Sequence, residues 1–299
     1  MKVLVVVFAL LSPLPSQTLG NRDIPVTAVD GESWLGHLHK TLYDTSMGKT
    51  WHAGPPAPMP GEDPARWQPI LSPGFATRTV TLHGSDVYRL NCQGCHQESG
   101  LGAPPEINSL IEPVRSISVA IIVERMKKRG GDISRADAAV LAKQSNDALL
   151  QRFHKGGENM PPFPQLSEAE IRSLIAYLKQ LAGFPGAEKA QVAVNESPSH
   201  VGEQIVKSTC HICHSATGTN PNAQQLLEGA IPPLNTLTTR TSLSGFVRKV
   251  TAGAPITMGM PPLPCRGRMP VFDYLTEEEV ADAYLYLTLY PSREQHTYP

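Results

Sequence analysis

Two ten-residue stretches, "NCQGCHQESG" (residues 91–100) and "TCHICHSATG" (residues 209–218), share the pattern Cys-x-x-Cys-His and a polar end closed by glycine. On a helical turn, positions i, i+3 and i+4 lie on one face. Both cysteines of each motif should therefore point the same way, with the histidine beside them. Four of the five cysteines in the chain belong to these two motifs.

Three chemistries use closely spaced cysteines of this kind. A zinc site needs four ligands from close-set pairs, and here the two motifs are far apart along the chain. A thioredoxin-like dithiol needs a βαβ setting, but no β-rich run surrounds either motif, and the repeated histidine would be a coincidence. Two thiols on one helical face can instead form thioethers with the two vinyl groups of a haem, with the adjacent imidazole as iron ligand. The motifs therefore predict two covalently bound haem c groups.

The N-terminus and the composition indicate where such a protein works. Lys2 is followed by an apolar run at residues 3–11 and then by prolines, which is typical of a secretory signal peptide over residues 1–20. The alternative is an uncleaved membrane anchor, although the run is short for a bilayer span. The formal net charge of −1 provides no basic field for nucleic acid. We therefore expect a periplasmic or otherwise exported protein that is soluble after cleavage.

The regions around the motifs repeat as well, which divides the chain. Gly84 and Gly202 each stand eight residues before the first motif cysteine, and each should open a short helix that runs into the motif. After the motifs come the Pro-Pro segments "GAPPEINSL" (residues 102–110) and "GAIPPLNTL" (residues 229–237). A carbonyl of these segments would accept the Nδ1–H of the motif histidine, or the prolines serve only as turn formers.

Both repeats close on one further pattern. Met160 lies seven residues before Ser167, and Met269 lies seven residues before Thr276. Ser167 and Thr276 are predicted N-caps whose capping boxes are completed three residues later by glutamates. Apolar residues at helical spacing follow in each repeat: Ile171, Leu174, Ile175 and Leu178 in the first, and Val280, Ala283, Tyr284 and Leu287 in the second.

With these features the chain resembles the class I c-type cytochromes in a tandem dihaem form, over about residues 81–183 and 200–292, below called the first and second repeats. The resemblance implies an all-α fold of two cytochrome c-like helical haem domains. It also implies haem attachment at four cysteines and axial iron ligation by two His/Met pairs. The attachment residues are Cys92, Cys95, Cys210 and Cys213, and the axial pairs are His96 with Met160 and His214 with Met269. Met258 and Met260 stay open as alternatives to Met269, because "MPPLP" at Met260 mirrors "MPPFP" at Met160.

Other segments complete the organisation. Residues 21–80 form a Pro- and Trp-containing extension that packs over the haem domains or docks a partner, 184–199 a linker, and 293–299 a tail. One or two further helices are expected between the first Pro-Pro segment and Met160. His154 is expected to be a solvated loop residue, with contact to a haem propionate as the alternative, and His211 is expected to lie on the surface. Cys265 is an odd thiol, either buried or able to form an intermolecular disulfide.

Function follows from the predicted iron ligation. Two haem irons whose sixth coordination position is filled by methionine would pass single electrons between two redox proteins, a donor and an acceptor. No catalytic residue is assigned. The alternatives are a haem enzyme of the dihaem peroxidase or sulfur-compound oxidase type, and a cytochrome subunit of a dehydrogenase or oxidase complex, including a membrane-associated respiratory complex. The enzyme reading needs an open iron position and a nearby acid–base group. No tryptophan follows Trp67, whereas the resemblance to dihaem peroxidases would require one between the haems.

Overall fold

The computed structural model describes residues 73–290, apart from residue 106 and residues 158–159, 223–224, 226–229 and 254–268. This part is mostly helical, as predicted, and is consistent with a cytochrome c fold. The helices are α1 (Pro73–Thr77), α2 (Gly84–Asn91), α3 (Gln93–His96), α4 (Ile111–Arg115), α5 (Val119–Lys128), α6 (Arg135–Lys155), α7 (Glu168–Leu181), α8 (Pro198–Ser208), α9 (Leu237–Arg240), α10 (Leu243–Ala252) and α11 (Glu277–Leu289). Among the described residues, no helix has both the length and the apolar content that a membrane crossing requires.

The predicted capping boxes open the last helix of each repeat. In α7 the Ser167 hydroxyl accepts from the Glu170 N–H at 3.3 Å, and the Glu170 carboxylate accepts from the Ser167 N–H at 2.7 Å. In α11 the corresponding distances between Thr276 and Glu279 are 3.2 and 2.9 Å. Each box satisfies backbone donors that the first turn of a helix leaves unpaired. Both predicted helix starts are confirmed.

A glycine lies where the first and last helices of each repeat cross. A Cβ atom on Gly84 would lie 2.1 Å from the carbonyl oxygen of Ser173, and one on Gly202 would lie 2.0 Å from that of Asp282. Ser173 and Asp282 each stand thirteen residues after the methionine of their repeat. The two crossings therefore use matching positions, and only a residue without a side chain allows so close a backbone approach.

The second of these helices begins earlier than the sequence predicted. α2 starts at Gly84, as expected, whereas α8 starts at Pro198 and carries Gly202 in its interior. The Ser197 hydroxyl caps α8 by accepting from the His200 N–H at 3.2 Å. Proline at the first helical position is already set for helical φ and lacks the donor that would go unpaired there. These two residues extend the helix by four residues ahead of Gly202.

The segment that was predicted to be a linker is built into the fold. It contains a 3-10 turn (Ala187–Ala190) and strand β2 (Val194–Glu196), which pairs antiparallel with β1 (Val80–Leu82), Thr81 opposite Asn195. The Ser173 hydroxyl of α7 donates to the Val192 carbonyl at 2.6 Å. This two-stranded sheet departs from the all-α prediction. It joins the start of the first repeat to the segment that precedes the second repeat.

The described end of the N-terminal extension packs on the second repeat. Phe75 of α1 is buried. Arg78 lies over the Phe75 ring, 3.8 Å from its centroid, and donates to the Asp282 carboxylate at 2.7 Å. Burial raises the pKa of Asp282 to about 7, and Arg78 limits that rise. These residues fit the predicted packing role of the extension, while its residues before 73 lie outside the described part.

Candidate functional site

The first motif forms the single turn expected of it. Cys92 follows α2, and the one-turn helix α3 carries Cys95 and His96. The N–H groups of Cys95 and His96 both donate to the Cys92 carbonyl, at 3.1 and 2.8 Å. Cys92 is buried, and the other two side chains are half-buried. Both thiols and the imidazole therefore project from the same helical turn, at the edge of the hydrophobic core.

The titration properties of this turn point away from disulfide chemistry. Burial raises the pKa of the Cys92 and Cys95 thiols to about 12. Burial also lowers the pKa of His96 to about 4, partly opposed by its hydrogen bond to Asn108. A dithiol that exchanges disulfides needs thiols with a lowered pKa. The shift in the first motif runs in the opposite direction.

Each motif histidine is oriented by a carbonyl of its Pro-Pro segment. Nδ1 of His96 lies 3.1 Å from the Asn108 carbonyl oxygen, and Nδ1 of His214 lies 2.7 Å from that of Pro232. A carbonyl only accepts, so Nδ1 carries the proton and the lone pair resides on Nε2. The predicted carbonyl contact is thus confirmed in both repeats. The acceptors are not equivalent residues, since Pro232 is a proline of the pair and Asn108 follows its pair.

The second motif forms a tighter turn than the first. Residues Cys210–Ile212 are a 3-10 turn, and the His214 N–H donates to the Cys210 carbonyl at 2.9 Å. Burial raises the pKa of the Cys210 thiol to about 12. His211 was predicted to be a surface residue, but it is half-buried, with Nδ1 3.1 Å from the His214 carbonyl oxygen. In a 3-10 turn, side chains three residues apart lie on the same side, which brings the ring of His211 back towards His214.

The two assigned methionines both pack against the hydrophobic core and are half-buried. The Met160 loop leaves α6 at Gly156, whose φ is +71°, and the Gly157 N–H donates to the Met160 carbonyl at 2.8 Å. Close to Met269, the Phe272 N–H donates to the Val250 carbonyl at 2.9 Å, which ties that loop to α10. The alternatives Met258 and Met260, and also Cys265, lie outside the described residues.

The helices predicted between the first Pro-Pro segment and Met160 are α5 and α6, preceded by the short α4. His154 lies in the last turn of α6, where it is exposed and 3.7 Å from a Glu168 carboxylate oxygen. Its predicted solvated character holds, although it belongs to a helix rather than to a loop.

The donor set fits a covalently held haem. Each repeat has two thiols, one imidazole with the lone pair on Nε2, and one thioether, which are the kinds of group that attach and ligate a c-type haem. When bound, the haem supplies one-electron exchange between Fe(II) and Fe(III). The chain itself holds the imidazole in one tautomer through Asn108 or Pro232. Backbone hydrogen bonds restrain the chain at Met160 through Gly157, and close to Met269 through Phe272 and Val250.

Residues 82–182 match the family model Cytochrome c. The match runs from the end of β1 to the end of α7 and includes Cys92, Cys95, His96 and Met160. It supports a c-type cytochrome with covalently bound haem c and suggests a haem electron-carrier function. Neither the curated proteins nor the solved structures gave a match.

The cytochrome c domain is joined to the second repeat by a buried polar chain that sequence reasoning missed. Asn91, the residue before Cys92, donates to Gln204 at 2.7 Å and accepts from the Ser208 hydroxyl at 2.6 Å. Gln204 donates to the Glu170 carboxylate at 2.5 Å, and His200 lies 3.1 Å from the same carboxylate. Helix α7 of the cytochrome c domain is thereby linked to helix α8 of the second repeat.

Glu170 and His200 form the charged centre of this chain. The hydrogen bond to Glu170 raises the pKa of His200 to about 9, against the effect of burial, and Glu196 adds to the rise. Burial alone would raise the pKa of Glu170, but hydrogen bonds from His200 and Ser167 lower it below its usual range. Nδ1 of His200 lies 3.2 Å from Glu203, so both ring nitrogens face carboxylates. An imidazolium therefore fits this position.

We expect His200 to make stability depend on pH. Because its folded pKa lies above the unfolded value of 6.5, its contribution is complete below about pH 6.5 and is lost as the pH rises through about 9. The free energy of unfolding of the wild type, minus that of His200→Gln, should fall by at most about 1.4 kcal/mol per pH unit in this window. Denaturant titrations at several pH values would measure it, with His154→Gln as the matched control. A difference that stays constant from pH 6 to 9 would contradict the assignment.

Proposed function

We propose that the chain is an exported dihaem c-type cytochrome that passes single electrons between a donor and an acceptor protein. The second haem is held by Cys210, Cys213 and His214. The observation that carries this proposal is the repeated orientation of the motif histidines by Pro-Pro carbonyls, at 3.1 and 2.7 Å. A zinc or dithiol motif gives no reason to fix the tautomer of a neighbouring histidine in the same way twice.

The residues around each iron position favour electron transfer. His96 and Met160 close both axial positions in the first repeat, and His214 and Met269 do so in the second. A methionine thioether is a soft neutral ligand that raises the reduction potential. Attachment through two thioethers retains the haem outside the cell. With both axial positions filled, the iron exchanges electrons but has no site for a substrate.

The assignment of Met269 is supported by its place in the repeat. Met269 precedes the capping box of α11 by the same seven residues that separate Met160 from the box of α7. Both side chains pack against the core at the start of the loop that leads into the last helix. Helix packing therefore restrains Met269 in the manner in which it restrains Met160.

Replacing Met269 by alanine should remove the methionine ligand of one iron only. The absorption spectrum of the ferric protein contains a weak band near the infrared edge that marks Met–iron bonds. We expect Met269→Ala to lose about half of its intensity. Met258→Ala and Met260→Ala are matched controls from the same stretch of chain and should keep the full band. Loss of the band in Met260→Ala, with retention in Met269→Ala, would reverse the assignment.

The proposal as a whole is tested by the intact mass and the ferric spectrum of the exported protein. We expect two attached haems, both low-spin, and an N-terminus at or near residue 20 after signal cleavage. A mass with one haem would contradict the dihaem proposal. Two haems of which one is high-spin would favour the haem-enzyme alternative, because an open iron position is what that chemistry requires.

A further inference from the structure

The two Cys-x-x-Cys-His motifs meet at Gly94. This glycine lies between Cys92 and Cys95, and a Cβ atom on it would lie 2.8 Å from the Tyr274 hydroxyl oxygen. The same atom would lie 3.9 Å from both Cγ2 and Oγ1 of Thr209. Since Thr209 is the residue before Cys210, the turn of the first motif lies next to the residue that precedes the first cysteine of the second motif.

Tyr274 fills the space between the motifs. Its hydroxyl oxygen is buried and has no hydrogen-bond partner among the described residues. Burial raises the pKa of Tyr274 above its usual range. The nearby Thr209 hydroxyl lowers that pKa in part but lacks the geometry of a hydrogen bond. Tyr274, Cys95 and Cys210 all pack against the same hydrophobic core.

The position of Tyr274 is fixed from both sides. Its carbonyl accepts from Arg89 of α2 at 3.1 Å, and Arg89 also pairs with the Glu279 carboxylate at 2.5 Å. Gln165 has the matching place in the first repeat, five residues after Met160 as Tyr274 is five after Met269, and it donates to the Ser208 hydroxyl at 2.9 Å. Each methionine loop therefore reaches across to the other repeat, but only the Tyr274 side chain enters a motif.

We propose that the contact of Gly94 with Tyr274 and Thr209 is the route by which electrons pass between the two haems, and this rests on the dihaem function proposed above. The route runs along the backbone from Cys95 to Gly94, crosses a non-bonded gap to the Tyr274 hydroxyl and a second one from Tyr274 to Thr209, and continues along the backbone to Cys210. One electron moves from ferrous iron on one motif to ferric iron on the other. No bond forms or breaks, no proton moves, and Tyr274 stays a neutral phenol throughout.

The structure supports this route over a purely mechanical contact in two ways. The Tyr274 hydroxyl lies between two residues that are each bonded to a haem-attaching cysteine, Gly94 beside Cys95 and Thr209 beside Cys210, so no further side chain has to intervene. A buried hydroxyl without a partner costs free energy that phenylalanine would avoid. A tyrosine that served only to pack the interface would therefore be better replaced by phenylalanine.

The test uses the haem-loaded full chain with three variants at the gap. Tyr274→Phe removes the oxygen nearest Gly94, Tyr274→Leu removes the ring, and Gly94→Ala pushes the ring away. Gln165→Leu is the matched control, because it breaks the reciprocal contact and leaves the gap intact. The measurements are the haem count by intact mass, the two midpoint potentials, and the rate of electron exchange between the haems after rapid photoreduction.

We expect a several-fold slower exchange in Tyr274→Phe and a larger loss in Tyr274→Leu and Gly94→Ala, at unchanged haem count and potentials. Gln165→Leu should keep the wild-type rate. Wild-type exchange in a folded Tyr274→Leu protein with two haems would overturn the route. Should the leucine and alanine variants fail to fold, the phenylalanine variant decides alone, and a wild-type rate in it overturns the proposal. One haem in the wild-type protein would instead overturn the dihaem function itself.

Discussion

Replacing Cys92 and Cys95 together by alanine is expected to remove one haem and to unfold most of the first repeat. Aromatic residues make up only 6% of the chain, so few large side chains can fill a core in place of the haem. A group that binds only the native state stabilises it, and a covalent link keeps that group in place at any dilution. Without the thioethers, α2 loses the haem as the group that covers its buried face next to the motif.

The readouts are the intact mass and the helical circular-dichroism signal of the purified variant. Cys265→Ala is the matched control, since it removes the fifth cysteine and leaves both motifs whole. It should retain two haems and the wild-type signal. The Cys210→Ala, Cys213→Ala variant should lose the other haem. A wild-type helical signal in the Cys92→Ala, Cys95→Ala protein would show that the first repeat folds without its haem.

Local patterns carried most of what the sequence predicted correctly. The capping boxes at Ser167 and Thr276 are encoded within four residues, so they can be recognised without knowledge of the fold. The same holds for the motif turn at Cys92, where i, i+3 and i+4 spacing sets the face. The carbonyl contacts of His96 and His214 followed from a Pro-Pro segment close to each motif.

No local sequence pattern indicated the contacts between the two repeats. Asn91 and Gln204 are far apart along the chain, and each alone resembles an ordinary helical polar residue. Glu170 was predicted as a capping-box residue, which explains one of its interactions but not its burial against His200. Sequence periodicity records which face of a helix is buried but not which element covers it. The approach of Tyr274 to Gly94 was missed because Tyr274 lies in the loop before α11, where no periodicity indicates which surface a side chain meets.

The matching glycine before each motif was visible in the sequence, but its purpose was not. Gly84 and Gly202 stand at the same place before each motif, and the structure shows that both permit a backbone-to-backbone helix crossing. A glycine inside a helix costs about 1 kcal/mol relative to alanine. Its presence within α8 therefore needs a reason, and the close approach of α11 at Asp282 supplies one.

Gly202→Ala is expected to destabilise the second repeat by about 3 kcal/mol or more, at the upper end of overpacking effects. The added Cβ would lie 2.0 Å from the Asp282 carbonyl oxygen and 2.9 Å from the Ala283 nitrogen. Both atoms belong to the α11 backbone and cannot rotate away, so α8 and α11 have to move apart. The loss corresponds to a fall in Tm of roughly 6–12 °C.

Gly84→Ala makes the same test in the first repeat, where the new Cβ would lie 2.1 Å from the Ser173 carbonyl oxygen. Gly245→Ala in α10 is the control, because its nearest neighbour would be the Ser242 hydroxyl at 3.2 Å, a side chain that can adjust. Helix propensity favours alanine at Gly245, so stability should change there by no more than about 1 kcal/mol. If thermal unfolding of the haem-loaded proteins gave Gly202→Ala and Gly245→Ala the same Tm, the crossing would be looser than the structure places it. A large loss in both repeat variants would mean that each glycine is retained for the space that it leaves between two helices.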